Sequence, residues 1–238
     1  MFNDVITDQP VYTGKVLRTL VEGPRSVTEI AEALGTEKSG RISRALDMLS
    51  ESGFVSSDAG LNPETGAEIR ERRFRLRDNY SRYYLKFVEP VGRMIDDESY
   101  RFTSLAMLDG WDAVMGLAFE NLIVNNYAEL LPHLHLGNTL ITSAAPYRKS
   151  PVRGRGDGCQ IDLLLQSQGM ICIVEIKRRN IDKSVIAEVD RKVSCITRRK
   201  GVSIRTALVF DGDISQTVEA NGYFDAIVDA ASLLAAGN

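Results

Sequence analysis

Apolar positions in the first third of the chain recur with a helical period and then give way to strand-like alternation. In "VYTGKVLRTLVEG", Val11, Val16, Leu17 and Leu20 fall near helical spacing, and Gly23-Pro24 ends the run. "SVTEIAEALG" opens with Ser26 and Glu29 three apart, the pattern of a capping box, ahead of Ile30, Ala31 and Leu34; Gly35 closes it. "EKSGRISRALDMLSESG" sets Ile42, Ala45, Leu46 and Leu49 on one stripe and stops at Gly53. "FVSS" and "EIRERRFRLRD" then read as two strands around the turn-rich "DAGLNPETGA".

"NYSRYYLKFVEPVGRMIDDES" predicts an aromatic helical stripe, Tyr80, Tyr83, Tyr84, Phe87 and Val88, which Pro90 kinks or ends. That stripe is expected to be a packing seam between two domains. Beyond it the chain alternates helix and strand. A long apolar helix is predicted along Leu105, Leu108, Trp111, Met115, Ala118, Leu122 and Ile123, followed by strands at "NTLITSAA", 160–166 and 170–177. "DKSVIAEVDRKVSCITRRK" is a helix with Val185, Ile186, Val189, Val193 and Ile196 inward; "SIRTALVF" is a further strand, with short helices at "ISQTVEANG" and "DAASLLAA". Helices on a mixed sheet make an α/β domain. The expected organisation is 1–78, a connector over 79–98, and an α/β domain over 99–238.

Composition narrows the partners. The formal charge of the 238 residues is -3, so nucleic acid would have to meet a local basic patch. Two such patches exist. One is Lys38, Arg41 and Arg44 with the return strand after "NPETGA", where five arginines against Glu68 and Glu71 leave a local +3 and put Arg73, Arg75 and Arg77 on one face. Asp47 and Glu51 dilute it, and a solvated face is the plain alternative. The other is "RKSPVRGRGDG", where Arg148, Lys149, Arg153 and Arg155 lie among glycines. Cys159, Cys172 and Cys195 have no C-x-x-C spacing, and His133 and His135 add little to them, so neither a disulfide scaffold nor zinc is predicted. "MFNDVITDQP" is no signal peptide and no apolar run reaches the length of a membrane span, so a cytoplasmic, membrane-free protein is expected. G-x-x-x-x-G-K-[ST] is absent, which removes that kind of nucleotide site.

The chemistry concentrates in "GCQIDLLLQSQGMICIVEIKRRN", an apolar hairpin that nonetheless carries Asp162, Glu175 and Lys177. Acids and lysines are rarely buried without partners. If Gln168-Gly169 is a two-residue loop, Ser167 pairs with Met170, and counting outward sets Asp162 opposite Glu175. Opposed residues share a face with Cβ atoms about 5 Å apart, and Lys177 follows on that face. A three-residue loop would slip the register by one and separate the acids. Two close carboxylates raise one another's pKa unless a cation relieves them. A hard ion such as Mg²⁺ or Mn²⁺, held by Asp162, Glu175 and the Ile176 backbone carbonyl, would do so. Lys177 would then orient a water or stabilise developing charge.

The order helix, helix, helix, hairpin over residues 10 to 78 resembles a winged helix-turn-helix, which implies DNA contact from Lys38, Arg41, Arg44, Arg73 and Arg75. The trio Asp162, Glu175 and Lys177, spaced as an Asp, a short hairpin and Glu-x-Lys, resembles the PD-(D/E)xK nuclease superfamily. The resemblance covers roughly 99 to 238 and implies a restriction-endonuclease-like mixed sheet, metal-dependent phosphodiester hydrolysis, DNA guidance by Arg153 and Arg155, and a further acid, Glu120, from the preceding helix. Ile161 stands where that family often has proline, and the next helix offers only Glu188 and Asp190 as candidates for a further motif. The two halves together look like the C-terminal part of archaeal-type AAA/STAND ATPases, which implies an ATPase domain or subunit as partner. A non-catalytic DNA- or protein-binding module, and a transcriptional regulator with a sensor half, are the readings from other classes.

Overall fold

The structure, a computed structural model, describes residues 10–102, 104–151 and 158–235; the expected contacts Arg153 and Arg155 lie outside them. The chain divides into two units, Met1–Ala59 with Arg70–Ala118, and Gly60–Ile69 with Phe119–Asn238.

In the first unit, α1 (Pro10–Thr19), α2 (Val27–Ala33) and α3 (Gly40–Glu51) surround one core with a three-stranded antiparallel sheet. The strands are β1 (Arg25–Ser26), β2 (Val55–Asp58) and β3 (Arg73–Leu76), in the order β1-β3-β2. Val16, Leu17, Leu20, Ile30, Ile42, Leu46, Leu49 and Leu76 are fully buried in that core. Val11, in contrast, is 72% exposed. Five residues turn a helix well past a full circle, so Val11 cannot share a face with Val16; buried Thr13, four before Leu17, takes that place. The capping box forms as read: Glu29 N–H donates to Ser26 Oγ, and Ser26 N–H donates to the Glu29 carboxylate at 2.7 Å. Ser26→Ala is expected to cost about 1 kcal/mol in urea denaturation, without moving the slope of the transition.

β3 is shorter than the expected return strand. Between Glu68 and Arg72 only Ile69 is apolar, so no face there has anything to bury. After β3, α4 (Asn79–Tyr83) and a wider turn over Tyr84–Val88 carry the aromatic stripe, and α5 (Gly92–Asp96) follows. Its rings meet one another and Trp111 inside this unit, with Tyr83 and Phe87 at 6.4 and 5.8 Å from the Trp111 ring.

The predicted long helix is interrupted. Gly110, at φ +78°, takes a left-handed turn, and α6 runs only from Trp111 to Asn125, with α7 (Tyr127–Leu130) after it. Leu105 and Leu122 of the predicted stripe are exposed, whereas Val114, Ile123 and Val124 are buried.

The second unit is α/β, a five-stranded mixed sheet flanked by helices. Its strands are β4 (Ser143–Lys149), β5 (Cys159–Gln166), β6 (Met170–Lys177), β7 (Ser203–Phe210) and β8 (Ala226–Asp229), in spatial order 4-5-6-7-8. The first two pairings are antiparallel and the last two parallel. β4 begins five residues later than predicted, because a turn at Leu136–Thr139 leaves Leu140 in solvent at 83% exposure. One sheet face packs Leu163, Leu165, Val174, Ile176 and Val209 beneath residues of α6 and the segment to Leu136. The other packs Ile161, Leu164, Ile171, Ile173 and Leu208 beneath Val185 and Val189 of α8 (Ser184–Cys195). The remaining short helices are α9 (Gln216–Glu219) and α10 (Ala230–Ala235). No helix among the described residues is long and apolar enough to cross a membrane.

Candidate functional site

The hairpin loop is the two-residue form. Ser167 N–H donates to Met170 O at 2.8 Å, and the ladder runs from Gln166↔Ile171 to Leu163↔Val174. That register continues to Asp162 opposite Glu175, but the strands part there. Alternation from Val174 turns the Ile176 N–H toward β5, where a strand carbonyl would ordinarily accept it; the Asp162 carboxylate accepts it instead, at 2.9 Å. The Ile176 carbonyl leaves β6 on the same side, as a strand residue's N–H and C=O do.

A bulge explains the parting. β4 pairs Ala145 with Leu164 and then Tyr147 with Ile161, so Asp162 and Leu163 both fall opposite Pro146 alone. Proline offers no N–H to the ladder, and the extra residue bends β5 and breaks its alternation. Ile161 and Leu164 consequently pack on the same sheet face. Asp162 stands at this kink, 9% exposed, on the α8 side of the sheet with Glu175.

Glu175 is fully buried, yet two ammonium groups reach it. Lys177 Nζ lies 2.7 Å from its Oε1 and Lys192 Nζ 2.5 Å from its Oε2. The Lys177 approach is an ion pair without hydrogen-bond alignment, so Oε1 accepts no hydrogen bond among the described residues. Glu188, one turn before Lys192 on α8, also holds Lys177 at 2.7 Å. Five groups of alternating sign thus meet where sequence reading placed three.

Burial pushes the Asp162 carboxyl above the usual range, against the pull of Lys192, the Ile176 N–H and Lys177. Burial and then the Asp162 charge push Glu175 up as well, against both lysines. For Lys177 burial works against the ammonium, but its contacts with Glu175 and Glu188 outweigh that and raise its pKa. Burial likewise disfavours the Glu188 anion, and Lys177 and Lys192 overturn it, leaving Glu188 below its ordinary value.

A cleft of about 690 Å³ opens on this cluster. Asp162, Lys177, Glu188 and Lys192 line it, as do Lys149, Arg191, Cys159 and Cys195. Among the described residues no three His, Cys, Asp or Glu side chains form a metal cluster by themselves. The donors that are present suit a hard divalent ion: two carboxylates and a carbonyl, with water completing a shell that Mg²⁺ surrenders reluctantly. The buried Glu175 Oε1 carries the Lys177 ammonium at 2.7 Å. Two carboxylates against two ammonium groups also show that an ion would compete with Lys177 or Lys192 for Glu175.

The other expected residues are placed elsewhere. Glu120 is half-buried on α6 and does not line the cleft. Asp190 is exposed. In the first unit, Arg75 is not a surface cation: it is 7% exposed and bonded through Nε to Asp58 at 2.9 Å. Facing Ser56 across the ladder, with Asp58 two residues further along β2, it has an acid within reach that pattern alone did not assign to it. Arg73 bonds the Pro24 carbonyl and pairs with Glu29, both at distances near 2.8 Å. Arg41 stacks 3.8 Å over the Tyr12 ring, while Lys38 and Arg44 are exposed. Lys192 was missed; its only signal is its place four after Glu188, beside the inward Val189 and Val193.

No family model matches the chain, and no curated protein does. Among solved structures it is similar to protein VC1899 from Vibrio cholerae at 12% identity and a TM-score of 0.38, over 94% of this chain and 49% of that one. The chain therefore spans about half the length of that protein, and a likeness this distant carries neither fold nor function.

Proposed function

We propose that the second unit is a restriction-endonuclease-like domain that hydrolyses DNA phosphodiesters with Mg²⁺ or Mn²⁺, and that the first unit is a winged helix-turn-helix docking it on DNA. The observation that carries this reading is the meeting of Asp162 and Glu175 on one sheet face, at a bulge, under an open cleft, with Lys177 on Glu175. Asp162, Glu175 and the Ile176 carbonyl would hold the ion, which when bound polarises a phosphate and acidifies a water. Lys177, exchanging Glu175 for Glu188 as its anchor, is the group to orient that water. Lys149, Arg191 and Lys192 offer positive charge along the cleft to a phosphate backbone. Lys38 and Arg44, exposed at and beside the start of α3, are the docking cations of the first unit. The pairing of the two units resembles the effector half of an archaeal-type AAA/STAND system, with an ATPase as its partner.

One observation favours a second reading. Glu175 is already neutralised by two lysines, as in a nuclease fold that has lost its ion and serves as a binding or regulatory module.

Calorimetric titration with Mg²⁺ and Mn²⁺, run beside cleavage of single- and double-stranded DNA, separates them. The enzyme reading expects saturable metal binding and metal-dependent cutting. Affinity is expected to weaken as pH falls, because protons compete for carboxylates whose pKa values are raised. No metal heat and no cutting of either DNA form would leave the binding module.

A further inference from the structure

We infer that Cys159 and Cys195 form a redox-responsive dithiol in the wall of the cleft, closing to a disulfide that ties the end of α8 to the start of β5. Cys159 is the first residue of β5 and Cys195 the last of α8. Neither is in a disulfide, both are half-buried, both line the cleft, and each thiol lies close enough to the other to perturb it. An independent contact fixes the same approach: Lys149, opposite Cys159 on β4, donates to the Cys195 carbonyl at 3.0 Å. The third cysteine, Cys172, is buried in the apolar cluster on the opposite sheet face and takes no part.

Glu188, Lys192 and Cys195 stand at i, i+4 and i+7 on α8, one stripe running from the half-buried Glu188 to the thiol. Closing the disulfide would therefore hold Lys192, one turn back, against Glu175. The oxidant is a low-molecular-weight disulfide of the glutathione type. The Cys195 thiolate attacks one of its sulfurs, forming a mixed disulfide and releasing one thiol. Cys159 then attacks the Cys195 sulfur, its proton leaving with the second thiol; two protein thiols are oxidised and one small disulfide is reduced. Burial, and then the neighbouring Cys195, push the Cys159 thiol up to about 12 against the pull of Lys149 and Lys192, which leaves little thiolate there to open the exchange.

The native protein is to be equilibrated across a series of oxidised-to-reduced glutathione ratios, quenched, unfolded and alkylated. Alkylated thiols are expected to fall from three to one, with a single fragment linking Cys159 to Cys195 and full recovery under dithiothreitol. The variant C195S is expected to form no such link. Three thiols persisting at every ratio, or separate glutathione adducts on Cys159 and Cys195, would overturn the inference. A consequence for cleavage, slower cutting by the oxidised form, rests on the proposed nuclease reading; the thiol count stands whether or not any DNA is cut.

Discussion

Glu175→Ala is expected, on the proposed nuclease reading, to slow metal-dependent cleavage by at least about 10²-fold, and on any reading to destabilise the protein by about 3 kcal/mol. The first effect follows from losing one of two acids able to hold the ion. The second follows from what is left behind. Lys192, with its side chain 14% exposed, loses a partner at 2.5 Å and keeps Glu188 at 3.7 Å and the nearby Asp162; Lys177 still has Glu188 at 2.7 Å. A buried pair broken on one side costs about 3–5 kcal/mol, and the surviving acids set the expected value at the lower end. Glu175→Gln preserves shape and an oxygen for Lys192, so it is expected to lose activity with a smaller loss of stability. Urea denaturation in metal-free buffer, beside the cleavage assay, reads both. Undiminished Mg²⁺-dependent cutting by the alanine variant would place the active centre elsewhere. The sign with pH is also set. Asp162 and Glu175 bind their protons more tightly folded than unfolded, so their contribution is greatest below the unfolded carboxylate range near pH 4 and is lost as pH rises through their raised folded values. Glu188 runs the other way, its contribution lost as pH falls through its lowered value. In the alanine variant the Glu175 part of that acid-side stability is expected to disappear.

Arg82→Met is expected to destabilise the first unit by about 3 kcal/mol. Arg82 is 2% exposed and its guanidinium serves three backbone carbonyls, Leu20 and Val21 just past α1 and Leu76 at the end of β3. Carbonyls at the end of a helix lack intrahelical partners, and here a side chain 61 and 62 residues further along donates to the two just past it. Methionine fills similar volume but donates nothing, so buried oxygens lose charge-assisted bonds. Arg82→Lys is expected to fall between, since an ammonium cannot span three acceptors as a planar fork does. Denaturation followed through Trp111, the single tryptophan and a member of this unit, reports it directly. A methionine variant as stable as the parent would show that the arginine's desolvation cancels its bonds.

Local signals were legible wherever chemistry and spacing agree within a few residues. Ser26 and Glu29 announced their cap, and Gln168-Gly169 set the hairpin register that opposes Asp162 to Glu175. β7 was read to its ends, because "SIRTALVF" is buried and apolar over most of its length. What escaped was set by distant partners. Pro146 produces the bulge at Asp162 only because β4 lies beside β5. Lys192 matters only because α8 crosses the sheet face that carries Glu175. Arg75 looked like a phosphate ligand until Asp58, across the ladder, claimed it. Arg82 sat unnoticed in an aromatic stripe whose rings drew attention away from it.

β6 is the middle strand of the sheet, bonded to β5 on one edge and to β7 on the other. Its amides are expected to exchange with solvent only when the whole layer comes apart, whereas Lys192 comes from α8, a helix on the sheet face that is tied at its end by Lys149 to the Cys195 carbonyl. Glu175 thus rides on the central strand, and Lys192 on a helix laid against it. A cation entering this site would have the lysines to displace, with the acid as a stationary post.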